Sequence, residues 1–125
     1  MVQPDSDQPR RPVSWQQIDE VVESIAKEIP ERYSSIYGIP RGGLIPATML
    51  SQILDIDMVV EEEDIDEDTL IVDDISDSGE TLEGFMEGKE NDVATLYVRK
   101  GTRYFPDYHA YFLENDDWLV FPWED

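Results

Sequence analysis

The sequence predicts a three-layer α/β domain: a mainly parallel, twisted sheet flanked by helices. Three observations predict it. Short apolar runs rich in branched and aromatic residues (70–72, 93–98 and 108–113) alternate with stretches whose apolar residues recur every three or four positions (15–29 and 44–54). Two glycine-bearing loops each lie between a predicted strand and a predicted helix, the arrangement of a βα connection. The 125 residues admit one hydrophobic core and leave no room for a second domain.

Residues 1–12 are polar and carry Pro4, Pro9 and Pro12, so they are expected to be a flexible tail, with the domain spanning 13–125. Ser14 reads as a helix N-cap, and Gln17 completes a capping box. Trp15, Ile18, Val21, Val22, Ile25 and Ile29 then mark one face of an amphipathic helix that Pro30 ends. A short strand is expected over 33–37, a mostly apolar helix over 44–54 and a brief strand over 58–60. The apolar run 70–72 reads as a buried strand, 81–88 as a short helix, 93–98 as a second buried strand, and 108–113 and 118–121 as late extended segments. The acidic run 61–68 lacks the glycine and alternating ligands of an EF-hand, so it is a solvated connection rather than a calcium loop.

Thirty Asp and Glu against nine Lys and Arg give a formal net charge of −21. Such a chain repels a nucleic-acid backbone, which argues against DNA or RNA as a partner. The charge is also what a protein working in high salt carries, where a Debye length near 3 Å at about 1 M screens self-repulsion; a halophilic origin is expected. No apolar run is long enough for a membrane span. The absence of cysteine excludes disulfides and Cys-ligated zinc, and the opening MVQPDSDQPRRP lacks the apolar segment of a secretory leader, so a cytoplasmic location is expected.

Residues 70–81, LIVDDISDSGET, carry the most chemical information. An apolar strand brings two adjacent carboxylates, Asp73 and Asp74, to its C-terminal end, the edge where open α/β sheets bind ligands. The turn Asp77-Ser78-Gly79-Glu80-Thr81 then opens a helix. Main-chain N–H groups and two hydroxyls there form a phosphate cradle, and glycine permits close backbone approach. Paired carboxylates beside a phosphate site suit Mg²⁺, which prefers oxygen ligands. Neither a Walker A loop nor a GxGxxG fingerprint is present. The earlier loop Gly38-Ile39-Pro40-Arg41-Gly42-Gly43 offers one cation and exposed amides, as a pyrophosphate requires; taken alone it reads equally as a Gly/Pro turn.

The 70–81 segment resembles the phosphoribosyl-pyrophosphate (PRPP) signature of type I phosphoribosyltransferases, and Arg41-Gly42-Gly43 resembles the pyrophosphate loop of the bacterial and archaeal xanthine–guanine (6-oxopurine) branch. The resemblance implies that Asp73 and Asp74 contact the ribose hydroxyls and the metal, that Asp77, Ser78, Gly79, Glu80 and Thr81 hold the 5′-phosphate, and that Arg41, Gly42 and Gly43 hold the pyrophosphate. It implies a cis peptide between Pro40 and Arg41. It also implies that Lys100, 23 residues after Asp77, bonds the exocyclic oxygen of the purine, that Trp118 stacks on the ring, and that Leu119 reads the ring edge. For Trp118, core packing is the competing reading. His109, the only histidine, is expected to be ordinary structure, and Trp123 packing or an interface.

The implied reaction is displacement of pyrophosphate from PRPP by a purine nitrogen, with Mg²⁺ as cofactor, Asp77 as general base, and a purine nucleoside monophosphate as product. Lys100 argues against adenine, because it donates a hydrogen bond. The resemblance departs in one place. Members of the family carry a long flexible loop ahead of the PRPP strand, and only 55–69, mostly acidic, is available here. A non-catalytic PRPP- or nucleotide-binding regulatory module therefore stands as the alternative. A homodimer or homotetramer is expected, with Tyr104, Phe105, Phe121 and Trp123 as candidate contacts.

Overall fold

The computed structural model describes residues 8–124. The strands are β1 (Arg10–Pro12), β2 (Ser35–Gly38), β3 (Asp57–Val59), β4 (Thr69–Ser76), β5 (Val93–Arg99), β6 (Tyr108–Leu113) and β7 (Trp118–Val120). The helices are α1 (Trp15–Ala26), α2 (Leu44–Leu54) and α3 (Glu80–Phe85). Five strands form one sheet in the order β3-β2-β4-β5-β6, and every pairing in it is parallel.

Strand alternation divides the core into two layers. Ile36, Leu70, Val72, Ala94 and Leu96 face α1 and α2 and pack with Ile18, Val22, Ile25, Ala47 and Leu50. Tyr37, Ile71 and Val93 face the other side and pack with Leu82 and Met86. The three layers of the sequence reading are therefore α1 with α2, the sheet, and the short α3. The capping box is present in full: Ser14 Oγ accepts from Gln17 N at 3.1 Å, and Gln17 Oε1 accepts from Ser14 N at 2.8 Å.

Two features differ from the sequence reading. Residues 10–12, assigned to a flexible tail, form β1 and pair in parallel with β7. Flanking main-chain bonds close the pair, from Trp118 N to Pro9 O (2.7 Å) and from Val13 N to Val120 O (2.8 Å). The tail's polar composition concealed a long-range pairing that depends only on backbone groups. The expectation for residues 1–7 lies outside the described residues. In addition, β4 does not stop at Val72 but continues through both aspartates to Ser76, because Asp73, Ile75 and Ser76 pair with Thr95, Tyr97 and Val98 of β5. Cross-strand pairing here overrides the weak strand preference of aspartate.

Candidate active site

The strand order reverses between β2 and β4, with β3 lying on one side of β2 and β5 and β6 beyond β4. At such a switch point the loops after the two central strands diverge and leave a crevice at the C-terminal sheet edge. Both glycine loops leave these two strands, and they are joined at the root by a bond from Ile39 N to Val72 O (2.9 Å). In the first loop the Pro40–Arg41 peptide is cis, as the resemblance implied. Gly42 packs directly on Asp74: a β-carbon there would lie 2.8 Å from Asp74 Cγ and nearer still to its carboxylate oxygen. The pyrophosphate-loop candidate and the acid pair are thus in contact. Gly43 is buried, while Arg41 is exposed on the rim.

Asp73 and Asp74 lie side by side near the end of β4. Their local partners are main-chain amides: Asp74 N–H donates to Asp73 Oδ1 (2.9 Å) and Ile75 N–H to Asp74 Oδ1 (2.7 Å). Asp73 is 7% exposed. Burial, and then the charge of Asp74, pushes its carboxyl up to about 9. Burial also raises Asp74. A buried carboxyl pair that resists ionisation in this way marks a candidate functional site. Among the described residues no group of three or more acidic, His or Cys side chains gathers round one point. The two aspartates would therefore supply only part of a metal's shell, as is usual for Mg²⁺, which keeps water and substrate oxygens.

The second loop is held from behind. Ser76 Oγ donates to Tyr104 O (2.6 Å) and lies 2.8 Å from Thr102 Oγ1, and Arg103 N donates to Ser78 O (2.9 Å). Gly79 has φ +88°, and a β-carbon on it would meet the amide nitrogens of Arg103 and Tyr104 at 2.6 Å. Glycine is required there on both counts. Glu80 N–H donates to Ser78 Oγ (3.2 Å), while its carboxylate turns to Arg103 (2.9 Å). Glu80 thus offers the site a backbone amide and not its side chain.

The acid pair and the second loop line a cleft of about 420 Å³, and Arg41, Gly42 and Gly43 lie beside it rather than in its lining. Asp73, Asp74, Asp77, Ser78, Gly79 and Thr81 line the cleft together with Arg99, Trp118, Leu119, Phe121 and Glu124. Trp118 and Leu119 arrive on β7, where pairing with Arg10 and Arg11 fixes them. Trp123 stacks on Phe121 at 4.9 Å with the rings parallel and also touches Trp15, so it is structural packing. His109 meets Phe105 edge-on.

Lys100 is the sequence-derived candidate that the structure places elsewhere. It is exposed in the turn after β5 and does not line the cleft. The reason is strand phase. Asp73 and Ile75 pair with Thr95 and Tyr97, so one further two-residue step sets Arg99, not Lys100, opposite Asp77. Arg99 Nε indeed donates to Asp77 Oδ1 at 3.0 Å. Sequence reasoning passed over Arg99 because only the register of β4 on β5 sets it opposite Asp77. It also missed Glu124, whose carboxyl is raised by partial burial and by the charge of Asp74.

The acidic connection is tied to the opposite end of the sheet. Its 3-10 turn, Glu62–Asp64, pairs with Lys89 through Glu62 (3.7 Å), and Asn91 Nδ2 donates to the carbonyls of Asp66 (2.7 Å) and Thr69 (2.9 Å). None of its residues lines the cleft.

A parallel sheet with two glycine loops at its switch point, an acid pair between them and an aromatic opposite defines the phosphoribosyltransferase class. No protein-family model matches the chain. The xanthine-guanine phosphoribosyltransferase of Chromohalobacter salexigens is 31% identical over 90% of this chain and 82% of its own length. That of Nitratidesulfovibrio vulgaris is 29% identical over 90% and 83%. The crystal structure of purine phosphoribosyltransferase from Pyrococcus horikoshii superposes with a TM-score of 0.80 and 33% identity over 93% of this chain and 95% of that one. The chain belongs to the xanthine-guanine phosphoribosyltransferase family and is an enzyme of that class.

Proposed function

We propose that the protein transfers the 5-phosphoribosyl group of PRPP to a 6-oxopurine (hypoxanthine, guanine or xanthine), giving a purine nucleoside 5′-monophosphate and pyrophosphate, with Mg²⁺ as cofactor. One observation carries this reading: the buried pair Asp73–Asp74, with Gly42 of the first glycine loop packed against it, lines a cleft together with the second glycine loop and Trp118. The amides and hydroxyls of the loop from Asp77 to Thr81 hold the 5′-phosphate. Gly42 and Gly43, with Arg41 on the rim, receive the pyrophosphate. Asp73 and Asp74 orient the ribose hydroxyls and would hold the metal, which when bound supplies positive charge to the departing pyrophosphate. Asp77 takes a proton from the purine as its nitrogen attacks the anomeric carbon. Trp118 stacks on the ring and the main chain at Leu119 reads its edge. Lys100, exposed in the turn after β5, remains the proposed donor to the exocyclic oxygen of the purine.

A second reading is favoured by the acidic connection, which is pinned away from the cleft and does not cover it: a PRPP- or nucleotide-binding regulatory module without turnover. One assay separates the two. The protein is incubated with Mg²⁺, PRPP and each purine at low and high salt, and nucleotide formation is followed. Turnover with a 6-oxopurine is expected; PRPP binding without turnover on any base would leave the module.

The oligomer is proposed on similar terms. Phe121 is buried, so it drops out as a contact. Tyr111 and Phe112 on the edge strand β6, and Phe105 in the segment before it, stay exposed, where a second copy would cover them. Sedimentation of the wild type against Phe112→Glu checks this. No described helix is long and apolar enough to cross a membrane. Cytoplasmic residence and adaptation to high salt remain proposals from composition, the latter tested by activity against salt concentration.

A further inference from the structure

The cleft lining contains a group that the reaction above leaves unused. Arg99 has a side chain only 11% exposed. Its guanidinium makes three directed bonds: Nε to Asp77 Oδ1 (3.0 Å), Nη1 to the carbonyl of Asn115 (2.8 Å) and Nη2 to the carbonyl of Asp117 (2.7 Å). One planar fork thereby joins the end of β5, the phosphate loop and the turn that delivers Trp118. Arginine suits the position because its donors are fixed in a plane and point to different acceptors, which an ammonium on a flexible stem does not reproduce. Asn115 is exposed and its neighbours are loop residues. Without the guanidinium, its carbonyl and that of Asp117 would turn to water, and the segment before Trp118 would be held only by its pairing with β1 and the contacts of Asp116 and Asp117.

We propose that Arg99 is a positioning residue for base recognition, locking Asp77 and the Trp118 segment into one rigid unit so that the proton acceptor and the stacking ring stand at a fixed spacing before a planar base enters. The proposal rests on the reading of this cleft as a PRPP and purine site. It assigns Arg99 to the base step and not to PRPP binding, because the backbone of the phosphate loop is anchored separately, by Ser76 to Thr102 and Tyr104 and by Ser78 to Arg103. A loose wall misplaces two groups that must meet the ring together, and small displacements of reacting groups cost roughly a hundredfold in rate.

The test compares wild type, Arg99→Met, Arg99→Lys, Asp77→Asn and the double variant Arg99→Met/Asp77→Asn. The expected result for Arg99→Met is a fall in kcat/KM for the purine of roughly a hundredfold, with PRPP affinity changed by less than about threefold. Arg99→Lys keeps the charge but loses the fork, so it is expected to stay about tenfold impaired. If Arg99→Met does not fold, this variant carries the comparison. The penalties of Arg99→Met and Asp77→Asn are expected not to add, since one acts through the other. Equal losses for base and PRPP, additive penalties, or full activity in Arg99→Lys would each overturn the proposal. If the wild type turns over no base, the functional reading fails on its own. The lock is then read by amide hydrogen exchange, where exchange over 115–120 about tenfold faster in Arg99→Met supports it and unchanged exchange overturns it.

Discussion

The two ends of the parallel sheet treat aspartate in opposite ways. At the N-terminal end, Asp92 accepts from the Arg32 guanidinium and the Tyr33 hydroxyl, and Tyr33 is in turn 2.6 Å from Tyr108 Oη. Burial, then the bonds to Asp92 and Tyr108, push the Tyr33 phenol well above its usual range, so it stays a neutral donor. At the C-terminal end, Asp73 and Asp74 have no cation in hydrogen-bond reach among the described residues and lean on backbone amides and on each other. One end spends its aspartate on cohesion. The other buries two carboxyls whose ionised form burial disfavours, the pattern of a candidate functional site.

The comparison can be broken most severely at the acid pair. Asp74→Ala is expected to weaken PRPP binding by about 3 kcal/mol or more, read by calorimetry with Mg²⁺ present. Asp73→Asn is expected to do the same to binding while stabilising the metal-free fold by about 1–3 kcal/mol near pH 8. The sign follows from the raised folded-state value of Asp73. Its folded form retains a proton that the unfolded chain releases above about 4, so the carboxyl's contribution to stability is complete at low pH and is lost as pH rises toward about 9. The stabilising effect of Asp73→Asn should therefore grow between pH 5 and pH 9, as melting curves in chelator would show.

At the cohesive end the effects reverse. Asp92→Ala should cost about 1–3 kcal/mol of stability in denaturant unfolding, by stranding Tyr33 and Arg32, and leave PRPP affinity unchanged. Thr81→Ala, which removes one hydroxyl from the cleft, should weaken PRPP binding by about 1–1.5 kcal/mol with little change in stability. The smallest effect is expected at Arg103→Ala. Its pairs with Glu80 and Glu83 are exposed, and its contact with Ser78 is through the main chain, so both stability and PRPP affinity should move by less than about 0.5 kcal/mol.

Features governed by local chemistry were legible in the sequence. The capping box at Ser14 and Gln17 and the span of α2 from Leu44 to Leu54 appear as read, because each is set within a few residues of chain. Both glycine loops lie where their flanking strands and helices required. Features governed by distant partners were not legible. Nothing near Arg10 announces a pairing with Trp118, over a hundred residues away, and nothing in the stretch after Val72 shows that β5 will carry the strand on to Ser76. The exchange of Lys100 for Arg99 has the same origin: a cation was read from its distance along the chain, whereas the register of β4 on β5 decides which of two neighbours enters the cleft. At the candidate site, the acids and the phosphate loop were visible as a motif. The clasp from Arg99 to Asp77, Asn115 and Asp117 became visible only once three segments were folded together.

The central claim is that the acid pair at the C-terminal sheet edge is a cation-completed PRPP site. Titration of PRPP into the wild-type protein with and without Mg²⁺, alongside the Asp73→Asn/Asp74→Asn double variant, tests it most directly. The expected result is affinity about tenfold or more higher with Mg²⁺ in the wild type, and no such gain in the variant. Equal affinity with and without Mg²⁺, or a variant that binds PRPP as the wild type does, would contradict it.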